Sequence, residues 1–287
     1  MSYISEYIEQ LNKKNRKVLS IFLTAGFPDR NKFTDLAKNV LDAGADMIEL
    51  GIPFSDPLAD GQVIQASSKI ALDKGVNIKD VLKYSEDISA YSNKPIILMC
   101  YANPVRKYGI KNFFNDAVNS GVRGLIVPDI PLEEYESFFS HSESRHCCDE
   151  ESLTEEKEEA LYSVGHYIDV ILLTTPTSSN ERIQKIDAKS NGFVYCVSVA
   201  GTTGIKNNFN SGTIENLRRT YSLLKKNKML IGFGISKPED VINFSPFCNG
   251  VIVGSRIMKS LLDGDKLDDT LKIISDLSDA CDIAPNH

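Results

Sequence analysis

MIELGIPFSDPLADG, residues 47–61, decides how the rest of the chain is read. Its first half is an apolar run stopped by glycine and proline, the pattern of a short buried strand. Its second half is turn chemistry, with Pro53, Pro57 and Gly61 interleaved with Asp56 and Asp60. A glutamate stands inside the strand half. With a side-chain period of two, Ile48 and Leu50 face one way and Met47 and Glu49 the other. In a closed barrel that second side can be the lumen, and Glu49 then stands as a partly desolvated carboxyl near the strand's C-terminal end. The plainer reading is a glutamate at the rim, paired with a neighbouring lysine or backbone donor.

Working outward, the same kind of run recurs along most of the chain: VLSIFLTAG from Val18, PIILMCY from Pro95, GLIVPDIP from Gly124, VILLTTP from Val170, FVYCVSVAG from Phe193, MLIGFGI from Met229 and GVIVGS from Gly250. With the run at Met47 they make eight, continuous rather than alternating, as parallel strands covered on both faces are. Amphipathic segments lie between them, such as residues 32–44, 112–121 and 237–247, and they supply right-handed crossover helices. The stretch after Asp60 holds two helices broken at Gly75. Eight strand–helix units predict an α/β fold, a (β/α)8 TIM barrel in one domain over residues 1–287. A doubly wound open sheet is the alternative, and strand count and length favour closure. Ahead of the first run, Ile4, Tyr7, Ile8 and Leu11 share one helical face, expected to cap the bottom of the barrel.

Residues 141–160, HSESRHCCDEESLTEEKEEA, are polar and acidic and read as a surface insertion, partly disordered or a solvated helix. Their His141, His146, Cys147 and Cys148 match no structural zinc spacing, so no metal is expected. Six cysteines without CxxC spacing suggest a reducing compartment. A net charge of −7 with no basic run argues against a nucleic-acid or acidic-membrane surface. The N-terminus has no apolar signal core, and no run approaches the length of about 20 apolar residues that spans a bilayer. A soluble cytoplasmic protein is the expectation.

In a barrel of this kind the chemistry sits at the C-terminal ends of the strands. Glu49 is well placed to serve as acid and base near neutral pH, because burial pushes a carboxyl pKa upward. Asp60, taken singly, reads as an ordinary turn residue. GFGIS (232–236) ends the seventh strand and VGSRIMKSLL (253–262) leads from the eighth into a helix, with Ser255 a candidate N-cap. Glycine turns and a helix N-terminus there make an anion seat without a cationic side chain. The long loop after the sixth strand, rich in Gly, Asn, Ser and Thr, reads as a lid beside Tyr195 or a connector. No lysine at a strand end suits Schiff-base chemistry.

On these residues the chain resembles the tryptophan synthase α-subunit family: LTAGFP (23–28), ELGIPFSDPLADG (49–61), YANP (101–104), VPDIPLEE (127–134), the TTG of the sixth loop, GFGIS and VGS recur in order. The resemblance implies retro-aldol cleavage of indole-3-glycerol phosphate to indole and glyceraldehyde 3-phosphate. In that reading Glu49 is the general acid/base, Asp60 holds the indole N–H, and Tyr195 lies beside the substrate and Glu49. Phe22 and Ile64 line the indole pocket, with Thr24 and Tyr101 in its surroundings. Gly204, Gly234, Gly254 and Ser255 hold phosphate, and Thr203 closes the lid against Asp60 and Asp129. Asp56, Asn103, Pro104 and Asp129 face a β subunit in an α2β2 heterotetramer. No cofactor is implied for this chain, pyridoxal phosphate belonging to the β partner. A free-standing lyase and a non-catalytic activator of the β subunit are the alternatives. The chain departs from the family in having Gln62 where proline is common after ADG, and Val199 and Ala200 where polar residues are frequent.

Overall fold

The computed structural model describes residues 2–140, 168–198, 211–232 and 234–283. The acidic insertion, the sixth loop with Val199, Ala200, Thr203 and Gly204, and the four residues His141, His146, Cys147 and Cys148 lie outside them. Eight parallel strands close into a barrel in chain order: β1 (Val18–Thr24), β2 (Met47–Gly51), β3 (Ile96–Met99), β4 (Gly124–Ile126), β5 (Asp169–Thr174), β6 (Phe193–Val197), β7 (Lys228–Gly232) and β8 (Gly250–Val253). Each expected apolar run holds one strand, shortened where its trailing Gly, Pro or polar residues turn into loop.

Helices cover the outside. α1 (Tyr3–Lys13) precedes the barrel, α2 (Phe33–Asp42) joins β1 to β2, and α3 (Gln62–Asp73) and α4 (Ile78–Tyr91) follow β2. Gly75 lies between those last two with φ +75°, a left-handed turn that glycine adopts without steric cost. Next come α5 (Ala102–Tyr108), α6 (Ile110–Asn119), α7 (Tyr135–Ser140), α8 (Asn180–Lys189), α9 (Ser211–Leu223), α10 (Pro238–Phe244), α11 (Ser255–Asp263) and α12 (Leu267–Ile283). Gln62 is the first residue of α3 and is exposed. At that position a helix leaves its N–H unpaired, so glutamine serves where proline is also favoured.

The strand alternation separates two cores. Ile48 and Leu50 belong to the layer between sheet and helices. Met47 faces the lumen with Val18, Ile97, Ile126, Ile171 and Phe193, and Ile4 and Ile8 of α1 complete that inner cluster. The N-terminal helix therefore closes the bottom of the barrel, as its apolar face predicts. Beyond its C-terminal end an ion-pair network, in which Arg16 meets Asp46 at 3.1 Å and Asp282 at 2.6 Å, joins the β1 entry to the β2 entry and to the last helix.

Gly124 makes the space for this plug. A Cβ there would lie 2.8 Å from Ile4 Cδ1 and 3.0 Å from both Ile97 Cγ1 and Ile171 Cδ1. Gly124→Val is expected to cost about 1–3 kcal/mol through overpacking, measured as a lower thermal midpoint. A midpoint equal to the parent's would mean that α1 does not pack there in solution.

Candidate active site

At the C-terminal mouth of the barrel a cavity is walled by Phe22 of β1, Glu49 of β2, Asp60 and Ile64 after β2, Met99 of β3 and Tyr195 of β6. Its far side is formed by Gly234, Ile235, Ile252, Gly254 and Ser255. Among the described residues lining it there is no lysine, arginine or histidine. Among these residues the donors open to an anionic ligand are backbone N–H groups and the Ser255 hydroxyl.

Glu49 reaches the lumen because β2 pairs in register with both neighbours, Phe22↔Glu49 on one side and Glu49↔Ile97 on the other. Only 1% of its surface is exposed. Burial pushes its pKa up to about 8, and a hydrogen bond from Ser20 works against that rise. The carboxyl therefore keeps its proton at neutral pH while remaining able to release it.

Asp60 is also buried, contrary to its reading as a simple turn residue. It stands immediately before Gly61, the N-cap of α3. Burial pushes its pKa up to about 6, while the hydrogen bond with the Tyr101 hydroxyl pulls it down. The same hydroxyl accepts the Ala59 N–H at 3.1 Å, so Tyr101 fixes the loop and its carboxylate together. Two carboxyls on one cavity thus titrate apart, one neutral and one ionised at pH 7, which is the separation that assigns acid and charge-stabilising roles. The Tyr195 phenol is kept protonated by burial first, and then by the charges of Glu49 and Asp60.

The apolar walls follow from close glycine contacts. Phe22 fits because Gly51 has no side chain: a Cβ there would fall 2.4 Å from its Cζ. A Cβ on Gly232 would lie 2.1 Å from the Tyr195 hydroxyl oxygen. Gly232→Ala is expected to displace that ring and lower kcat by between about ten- and a hundredfold. Steady-state kinetics on the folded variant checks this, and an unchanged kcat would remove Tyr195 from the chemistry. Thr24 sits behind the wall, its Oγ1 2.7 Å from Ser67 Oγ on α3.

At the other end, Gly234, two residues past the end of β7, takes φ +80°, a left-handed conformation suited to glycine. Gly254 is the N-cap of α11 and has no side chain to cap it. Ser255 is the first helical residue rather than the N-cap, a correction of one position. The sequence signal of serine before a helix was real, but glycine ahead of it takes the non-helical dihedrals. The N–H groups of the first turn of α11 have no partner within the helix, and together with the Ser255 hydroxyl they are donors of the kind an anion accepts from.

The family model for the tryptophan synthase alpha chain matches residues 8–149 and 150–281. The chain belongs to the tryptophan synthase alpha chain family. It is thereby an indole-3-glycerol phosphate lyase of tryptophan biosynthesis, in a family whose pyridoxal phosphate is carried by the β chain and not by this one. The tryptophan synthase alpha chain of Thermoanaerobacter sp. (strain X514) is 39% identical over 264 residues, 92% of each chain. That of Rippkaea orientalis is 41% identical over 266 residues, covering 92% of this chain and 91% of the relative. Among solved structures, tryptophan synthase from Mycobacterium tuberculosis superposes with a TM-score of 0.82 at 28% identity over 98% of each chain. The tryptophan synthase alpha chain of Legionella pneumophila subsp. pneumophila gives 0.79 at 29% identity over 100% of each.

The positions marked in the sequence for a partner form one face of this alpha chain. Asp56, Asn103 and Asp129 are exposed and Pro104 is half-buried. The Asp129 carboxylate accepts the Ala102 N–H at 3.0 and 3.2 Å, which fastens the VPDIP loop to the start of α5. Phe54 stacks at 5.2 Å on Tyr101, bringing the Asp56 loop against the same place. Leu58 in that loop is 79% exposed. The structure starts α5 within YANP, a helix too short for periodicity to reveal. Ser20, Met99, Ile235, Ile252 and Gly232 are site residues that the sequence reading missed. Strand alternation could have found Ser20, Met99 and Ile252, since each lies on the inward register of its run.

Proposed function

We propose that this cavity is where indole-3-glycerol phosphate is cleaved to indole and glyceraldehyde 3-phosphate, within one barrel domain formed by residues 1–287. The observation that carries the reading is the pair of buried carboxyls, Glu49 and Asp60, on a cavity that ends at the first turn of α11. Neutral Glu49 gives its proton to C3 of the indole ring, making that carbon tetrahedral. Ionised Asp60 accepts the ring N–H and stabilises the positive charge that develops there. Glu49 then takes back the proton of the glycerol hydroxyl as the carbon–carbon bond breaks. The bonding electrons return to the ring, the hydroxyl carbon becomes the aldehyde, and Glu49 is restored as the acid.

Phe22 and Ile64 hold the indole, and Tyr195 packs beside it. Gly234, Gly254 and Ser255 take the phosphate through backbone and hydroxyl donors. The face bearing Asp56, Asn103, Pro104 and Asp129 receives a β subunit in an α2β2 heterotetramer, with Leu58 as its apolar contact, and the assembly works in the cytoplasm.

The test is indole release from indole-3-glycerol phosphate by the purified chain, alone and with a tryptophan synthase β chain. Slow cleavage that rises strongly with the β chain is the expected result. Rapid cleavage by the chain alone would make it a free lyase, and no cleavage in either condition would overturn the reading.

A further inference from the structure

Glu49 has to keep one position through a cycle in which it gives up and regains a proton, and its surroundings offer little to hold it. The carboxyl plane is not fixed by the side chain itself, because the last torsion of glutamate is broad. Below it the lumen is filled by Met47, Ile97 and other apolar side chains. Among the described residues, Tyr195 from β6 and Asp60 from the loop after β2 are the other titratable groups that face the same cavity, and both are acids.

Ser20 is the polar exception in this wall. It lies on β1 at the inward register between Val18 and Phe22, opposite Met47 and two residue pairs below Phe22↔Glu49. Its surface is 0% exposed, and its hydroxyl donates to Glu49 Oε1 at 3.2 Å. A small apolar residue would fill the same space without burying a hydroxyl, which is costly unless it is hydrogen-bonded.

We propose that Ser20 is the positioning residue of Glu49, holding Oε1 through both protonation states and leaving the other carboxyl oxygen to exchange the proton with substrate. The proposal rests on the reading of Glu49 as acid/base. A hydroxyl suits this task because it donates to Oε1 both in the carboxylate and in the acid whose proton is carried by the other oxygen, and the bond to the carboxylate is the stronger. A cationic side chain at the same point would trap the carboxylate and abolish the acid. An aliphatic one would leave the lower oxygen without a partner and the carboxyl free to turn.

The test follows Glu49 directly, by carbon NMR titration of the chain labelled at its glutamate carboxyls, with the Glu49 signal assigned by its loss in Glu49→Gln. Ser20→Ala is expected to raise the midpoint by about one pH unit and to lower kcat about tenfold, with KM within about twofold. Ser20→Thr, which keeps the hydroxyl, is expected to restore the midpoint. An unmoved midpoint in Ser20→Ala overturns the proposal, even with a lower kcat, since packing alone would account for that loss. The titration needs no turnover, so a parent chain that released no indole would sink the acid/base reading while the midpoint still decided whether Ser20 holds the carboxyl.

Discussion

Glu49→Gln is expected to lower kcat for indole formation by about 10³–10⁴ while making the folded chain more stable in alkaline solution. Glutamine keeps the shape of the side chain and can still accept from Ser20, whose hydroxyl stands 3.2 Å from Oε1. It has no proton to give at neutral pH, so the ring carbon cannot become tetrahedral. The stability gain follows from linkage. Burial moves the Glu49 pKa from 4.5 to about 8. Between those values the native chain keeps a proton that the unfolded chain loses. Stability is therefore fully present below about pH 4.5, falls as pH rises through this window, and levels off above about 8. The penalty reaches roughly 3–5 kcal/mol as an upper bound. Glutamine carries none of it, so the difference in thermal midpoint between variant and parent should be small at pH 5 and large at pH 9. Melts at the two pH values, beside an indole assay, separate catalysis from folding. A variant that retains cleavage would remove Glu49 as the acid. A midpoint difference independent of pH would mean that the carboxyl is solvated in solution.

How much of this was legible from sequence depends on the range of the interactions involved. All eight strands were visible because a parallel strand buried on both faces must be apolar along its length, and that is a local property. The inward direction of Glu49 followed from alternation with Met47, and the inner cluster bears it out. Asp60 was less legible, since DPLADG is turn chemistry by itself. Its burial is created by parts distant in sequence, the Tyr101 hydroxyl and the cavity wall from β6 to β8. Read through the family resemblance, the same residue stood out; read alone, it did not. Gly232 and Gly51 illustrate a further limit. Each ends a strand, and the reason for having no side chain is a ring from a neighbouring strand, Tyr195 or Phe22. Ser20 was passed over because one hydroxyl in an apolar run is tolerable anywhere, and only the β1–β2 register shows what it touches.

The cleavage by the parent chain should follow a bell-shaped pH dependence of kcat/KM, and Asp60→Asn should remove its acid limb. The productive free enzyme carries Glu49 protonated and Asp60 ionised. Asp60, raised to about 6, supplies the acid limb by taking up a proton. Glu49, raised to about 8, supplies the alkaline limb by losing one. Burial raises both carboxyls, and the different hydrogen bonds they keep, from Ser20 and from Tyr101, set the two limbs apart. The plateau accordingly lies between about pH 6 and 8. In Asp60→Asn the amide can keep a contact with Tyr101 but brings no negative charge to the indole nitrogen, and kcat should fall about 10²–10³-fold at pH 7. Its profile should descend only on the alkaline side, where Glu49 loses its proton. Rates of indole release between pH 5 and 9 for parent and variant decide the matter. An acid limb that survives in Asp60→Asn would assign it to another group, such as the substrate phosphate, and would leave Asp60 as the anchor of its loop rather than the partner of the indole nitrogen.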